Sequence, residues 1–176
     1  MTESAAQPPP APAAPPGPRL PRLVLVIGRK QHGKTPALIQ EGNRYAAALP
    51  NHALVVVNPQ GDARLRSNLR VLPADLSVCR RRILLIDEIG KFEGSRSIPP
   101  SLRDYLYDLE QRDNYLLASS RRLGDQHPDL KGQVDVLVCF GIIAESDTEA
   151  LRSYTDRATI DRIKALPPLR CIRVEP

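Results

Sequence analysis

Apolar residues in this chain gather into short unbroken runs instead of alternating with polar ones. "RLVLVIG" (22–28), "ALVVVN" (53–58), "RILLID" (82–87), "YLLAS" (115–119), "VDVLVCFG" (134–141) and a closing "LRCIRVE" (169–175) read as strands. Unbroken apolar strands imply burial on both faces, the mark of a parallel sheet covered by helices. Between them lie amphipathic stretches that predict helices at 34–49, 101–111, 147–154 and near 160–166. In the second of these, Leu102, Leu106 and Leu109 fall on one helical face. The pattern predicts an α/β fold with a mostly parallel central sheet flanked by helices, and no internal repeat is visible.

The first strand runs directly into "GRKQHGKT" (28–35), two glycines four residues apart followed by Lys-Thr. Between a buried strand and a helix, this is the pattern of a phosphate-cradling loop. Backbone amides of the loop and of the helix N-terminus point at the phosphates, where unpaired donors and partial positive charge collect. Gly28, Arg29, Lys30, Gln31, His32, Gly33, Lys34, Thr35 and Pro36 are therefore the predicted nucleotide-binding residues. Lys34 would reach the β- and γ-phosphates of ATP, and the Thr35 hydroxyl would bind Mg²⁺. Pro36 falls in the first helical turn, where its missing N–H is not needed. A chance match to the loop pattern somewhere in such a chain is on the order of one in a hundred.

The third strand ends in adjacent carboxylates, Asp87 and Glu88. Ligands of open α/β sheets bind at the carboxyl edge of the strands, so both acids are expected beside the nucleotide. Asp87 would hold Mg²⁺, and Glu88 would polarise the attacking water.

Composition narrows the partners. Residues 1–18, "MTESAAQPPPAPAAPPGP", hold seven of the 18 prolines and no basic residue, and read as a disordered, locally extended Pro/Ala-rich tail without the features of a secretion signal. Residues 19–176 read as one domain. The apolar runs are far shorter than the roughly 20 residues a membrane-crossing helix needs, which predicts a soluble chain with no transmembrane segment. Cys79, Cys139 and Cys171 lack metal-ligand spacing and suit buried thiols in a reducing compartment. A net charge of +5, with 20 arginines against five lysines, is compatible with a polyanionic partner.

Taken in order, "LVLVIGRKQHGKT", "ALVVVNPQGDARL", "ILLIDEIGKF", "QRDNYLLASSRRL" and "GQVDVLVCFGIIAESDTEAL" resemble the successive blocks of the HerA/FtsK superfamily of DNA-pumping ATPases. The resemblance covers nearly everything from residue 22 onward. It is nearest to the small viral branch, the genome-packaging ATPases of membrane-containing icosahedral viruses with double jelly-roll capsids. "NPQGD" is similar to the family's Asp-Pro-x-Gly-Glu turn, with Asn58 in place of the aspartate. The fourth strand in the family ends in Thr-Gln-Arg-Pro, the glutamine sensing the γ-phosphate; here Ser119, Ser120, Arg121 and Arg122 stand in those places.

The resemblance implies a P-loop NTPase of the additional-strand, catalytic-glutamate type. Its implied activity is ATP hydrolysis coupled to translocation of double-stranded DNA by a homo-oligomeric ring, pentamer or hexamer. Arg112 matches by position an arginine given to the neighbouring subunit's site, with Arg121 and Arg122 as second choices; Ser120 takes the place of the sensor. A capsid or membrane-vertex protein would be a further partner, at the virion packaging vertex or in host cytoplasm. DNA phosphates would meet Arg64, Arg66 and Arg70, or Arg80, Arg81 and Arg82. Other uses of the same motifs stay open: a cellular or plasmid DNA pump, a filamentous-phage assembly ATPase, a small phosphotransferase, or a nucleotide switch that does not hydrolyse.

Overall fold

The computed structural model describes residues 20–94, 96–142 and 144–175, so the tail expected at 1–18 lies outside the described residues. In chain order the elements are β1 (Leu23–Ile27), α1 (Lys34–Ala48), β2 (Ala53–Val57), β3 (Arg82–Ile86), α2 (Pro100–Tyr107), β4 (Tyr115–Ser120), α3 (Pro128–Gly132), β5 (Val136–Phe140), α4 (Glu145–Leu151), α5 (Arg157–Lys164) and β6 (Cys171–Val174). The strands form one sheet in the order β2-β3-β4-β1-β5-β6. The first five are mutually parallel, and β6 alone runs antiparallel, pairing Cys171 with Phe140 and Val174 with Leu137. The expected mostly parallel α/β sheet is what forms, with β4 inserted between β1 and β3.

Each central strand feeds two cores, because successive side chains leave opposite faces. Val24, Val26, Ile83, Leu85, Leu117, Val136 and Val138 pack with Leu38 and Tyr45 of α1. Leu23, Leu25, Ile27, Leu84, Ile86, Leu116 and Leu137 pack on the other side against Leu102 and Leu106 of α2, Leu130 of α3, Leu151 of α4, and Ile160 and Ile163 of α5. Gly42 lets α1 lie close on the sheet: a Cβ built there would stand 2.6 Å from Leu85 Cδ1.

Several expectations are corrected. "ALVVV" is an edge strand, not one buried on both faces; Ala53 and Leu54 are exposed because α1 crosses β1, β4 and β3 and leaves the start of β2 bare. Helix α2 stops at Tyr107 instead of residue 111, the chain unwinding through turns to Asp113, whose φ of +55° is left-handed. Leu109 is nonetheless buried beside Leu102 and Leu106. The five-residue α3 is too short to show periodicity, but its start is written in "HPD": Pro128 opens the helix and the His127 ring accepts the Asp129 N–H. Asp156, accepting Thr159 N–H at 2.7 Å, starts α5 earlier than the apolar pattern indicated. Cys79 and Cys139 are buried as expected, but Cys171 is exposed, since it opens the edge strand β6. Among the described residues no helix is long and apolar enough to cross a membrane.

The amino edge of the sheet is tied by side chains that no apolar pattern reveals. Asn114, fully buried, accepts Arg82 N–H at 3.0 Å and donates to the Cys79 carbonyl at 3.0 Å. Asp135 accepts the N–H groups of Arg22 and Leu23, at 2.6 and 2.9 Å, where β1 begins. Replacing Asn114 with leucine leaves a buried donor and a buried acceptor unmatched, at about 1–3 kcal/mol each. The expected outcome for Asn114→Leu is a loss of about 3 kcal/mol in stability, seen by calorimetry as a melting temperature lower by several degrees; an unchanged melting temperature contradicts the bridging role.

Candidate functional site

The loop behind β1 has the conformation a phosphate cradle requires. Gly28 sits at φ +149°, and a Cβ there would lie 2.6 Å from Phe140 Cβ and 2.9 Å from its carbonyl oxygen, so only glycine fits. Gly33, at φ +101°, is the N-cap of α1, and the first turn of that helix carries no acidic residue. Its uncapped amides are therefore available to an anion. Gln31 is left-handed at φ +66°. Arg29, Lys30, Gln31 and Pro36 are exposed, and His32 is half-buried with its Nδ1 bonded to nothing among the described residues.

Lys34 is buried, and its Nζ donates to the Arg29 carbonyl at 3.0 Å across the loop. Burial pushes its ammonium below the usual lysine range, and the negative charges of Glu88 and then Asp87 oppose that shift. The predicted acids are thus within electrostatic reach of the predicted phosphate lysine. Thr35 Oγ1 lies 3.4 Å from Asp87 Oδ1, and the same carboxylate oxygen accepts Ser119 Oγ at 2.7 Å. Asp87 and Glu88 stand on the loop's side of the sheet. Among the described residues no three His, Cys, Asp or Glu side chains cluster as a metal site. Thr35 and Asp87 are hard oxygen donors, which fits Mg²⁺ that takes its remaining ligands from phosphates and water.

Glu88 leaves the strand in a left-handed turn, φ +60°. Its N–H donates to Ser119 Oγ at 2.9 Å. Its two carboxylate oxygens accept the Arg121 backbone N–H and the Arg121 Nε, each at 3.1 Å. Each oxygen keeps a further lone pair. Glu88 forms one wall of a cleft of about 480 Å³ between the loops that follow β3 and β4, with Glu93, Ser120, Arg121, Arg122 and Gln126 also lining it.

Ser120 is joined to the phosphate loop through its backbone, its carbonyl accepting Gly28 N–H at 3.3 Å. Its hydroxyl donates to the Arg122 carbonyl at 3.2 Å and accepts from Gln126 Nε2 at 2.8 Å. Gln126 is only 3% exposed, and nothing in "GDQHPD" marks a polar side chain that folds back on its strand. The Gln126 loop is anchored by Asp147 of α4, which accepts Gly124 N–H at 3.0 Å. Glu93, also buried, accepts His127 N–H at 3.3 Å; burial pushes its carboxyl up to about 7 against the pull of that N–H and of Lys131.

Arg112 is not part of this assembly. It precedes β4 at the amino edge of the sheet, the opposite end from the loop, where its Nε donates to Asp108 at 2.6 Å. The other arginines divide in the same way. Arg64, Arg66 and Arg70 follow β2 at the carboxyl edge, where Asp62 holds Arg64 and the Asn58 carbonyl accepts Arg70. Asn58 itself closes the "NPQGD" turn, bonding both the N–H and the carbonyl of Asp62 at 2.9 and 2.8 Å. Arg80, Arg81 and Arg82 precede β3 at the amino edge, and Arg82 is held by both oxygens of Asp75 at 2.8 and 2.7 Å.

No protein-family model and no curated protein matches the chain. Solved structures do. The genome packaging NTPase B204 from Sulfolobus turreted icosahedral virus 2, in complex with sulfate, superposes with a TM-score of 0.71 at 16% identity, over 89% of this chain and 92% of that one. Its complex with ATP-γS gives a TM-score of 0.68 at 15% identity, over 88% and 91%. B204 described as the DNA-packaging ATPase of Sulfolobus Turreted Icosahedral Virus gives 0.62 at 15% identity, over 88% and 97%. With a parallel sheet, an additional strand between β1 and β3, and a glycine loop opening α1, this chain has the P-loop fold of the viral genome-packaging NTPase B204.

Proposed function

We propose that this chain is an ATP-hydrolysing motor that translocates double-stranded DNA and packages a viral genome into a preformed capsid. The observation that carries the reading is the convergence of Lys34, Thr35, Asp87 and Glu88 on one glycine turn, with Lys34 buried under the influence of both acids. The fold shared with B204, a protein solved with ATP-γS and described as a DNA-packaging ATPase, supports it.

The loop amides and the uncapped start of α1 receive the phosphates of ATP, and Lys34 exchanges the Arg29 carbonyl for a phosphate oxygen. Thr35 and Asp87 would hold Mg²⁺, which would supply positive charge beside the phosphates. Glu88 accepts a hydrogen bond from the water that attacks in line, using the lone pairs that Arg121 leaves free. Because Arg112 lies at the far end of the sheet from its own loop, it serves only a neighbour's site, where its guanidinium stabilises charge on the leaving phosphoryl oxygens. Asp108 holds it until then. The motor is a ring of five or six subunits, docked on a capsid or membrane-vertex protein, at the virion vertex or in host cytoplasm. It grips DNA through phosphates, which carry no base preference. Arg66, Arg80 and Arg81, exposed and, among the described residues, without the ion pairs that hold Arg64 and Arg82, are the DNA contacts we favour.

A small phosphotransferase is the second reading that the same loop permits. The cleft beside Glu88 favours water as acceptor, since the side chains that line it are carboxylates, arginines, a lysine, a serine and an amide. Phosphate release measured with and without duplex DNA separates the two. The expected outcome is DNA-stimulated turnover that falls by about 10²–10³-fold in Lys34→Ala; DNA-independent transfer to a small acceptor establishes the kinase instead. For Arg112, mixing Arg112→Ala subunits with Glu88→Gln subunits is expected to restore part of the hydrolysis that each variant lacks alone. Mixed rings that form and stay inactive rule out its action across the interface.

A further inference from the structure

Gln126 carries a buried hydrogen-bonding group that the fold does not use. Its Nε2 has two partners, Ser120 Oγ at 2.8 Å and the Arg122 carbonyl at 2.9 Å. A carbonyl only accepts, so the amide nitrogen must face Arg122 and the orientation of the side chain is fixed. Its Oε1 is then left buried with no partner among the described residues. Such an acceptor costs about 1–3 kcal/mol when nothing bonds to it, and Gln126 lines the same cleft as Glu88. A donor small enough to enter that cleft is a water molecule.

We propose that Gln126 is the second acceptor for the attacking water, holding one of its hydrogens while Glu88 holds the other. The inference rests on the hydrolytic reading above. With both hydrogens engaged, a water lone pair is turned in line with the γ-phosphorus. As the new P–O bond forms, the bond to the bridging oxygen breaks and ADP leaves with its electron pair. One water proton passes to Glu88, and the other remains on the phosphate product, bonded to Gln126 Oε1. Gln126 is set for this role by three features: Ser120 at the end of β4, whose carbonyl accepts Gly28 N–H, the Arg122 carbonyl, and the Asp147 anchor on Gly124. The residue thus ties the water's position to the phosphate loop itself.

The test uses the full chain with Mg²⁺–ATP. Gln126→Met keeps the length of the side chain and removes the acceptor. Its expected outcome is a fall in kcat of about 10²–10³-fold, the size typical for loss of one preorganised hydrogen-bonding group, with KM for ATP and the Kd of AMPPCP unchanged. A Gln126→Met enzyme with wild-type kcat overturns the inference and leaves the hydrolytic reading standing, whereas a wild-type chain that binds AMPPCP and hydrolyses nothing overturns that reading and the inference with it. A structure of the wild-type chain with Mg²⁺, ADP and aluminium fluoride decides independently of how the variant folds. A water bonded to both Oε1 and Glu88 supports the role; Oε1 bonded instead to Glu93 or to any other protein donor ends it.

Discussion

Strand β4 sets the distances at the candidate site. Parallel neighbours lie about 4.8 Å apart, so placing β4 between β1 and β3 puts the acidic strand end two strands, about 10 Å, from the phosphate loop. Helix α1 closes that gap. It leaves the loop behind β1, crosses β4 and packs toward β3, with Gly42 lying close on Leu85, and so carries Thr35 to within 3.4 Å of Asp87. Ser119, at the end of the inserted strand, holds the same carboxylate from below at 2.7 Å and receives the Glu88 N–H at 2.9 Å. One extra strand therefore supplies both the separation and the strut that spans it. A sheet without β4 would crowd the acids against the loop and leave them with no hydroxyl to rest on.

The chain announces those parts of this arrangement that depend on local chemistry. Unbroken apolar runs name the buried strands, because a strand covered on both sides has no solvent face on which to place polar residues. The glycine loop is legible because Gly28 has no space for a Cβ and Gly33 adopts a left-handed backbone, so both positions are written in residue identity. Asp87 and Glu88 stand out because they end an apolar strand at the sheet edge where the glycine loop also lies; alone, such a pair would read as a solvated strand end. The edge position of β2 is not legible, since the same apolar letters serve a central strand, and which strand ends the sheet is decided by the path of α1.

Gln126 and Asn114 were hidden for a different reason. Each is a single polar side chain whose role depends on partners that distant parts of the chain bring to it. Asn114 reaches back 35 residues to Cys79 and 32 to Arg82, and Gln126 folds back on Ser120 across a loop that Asp147 holds at Gly124. Arginine pairing was hidden in the same way. Twenty arginines give a basic composition, but Asp62, Asp75, Asp108 and Glu88 each hold one. Net charge therefore overstates the cationic surface open to a polyanion.

The exposed thiol of Cys171 has a practical use. Cys171 pairs with Phe140, whose ring would stand 3.1 Å from a Cβ on Gly33, so it lies one residue pair away from the loop that receives phosphate. The two remaining cysteines are buried, and burial also pushes both thiols above the usual range, so they stay protonated and shielded. A maleimide dye would attach at Cys171 in the unmodified chain, giving a fluorescence signal of nucleotide arrival without any engineered mutation.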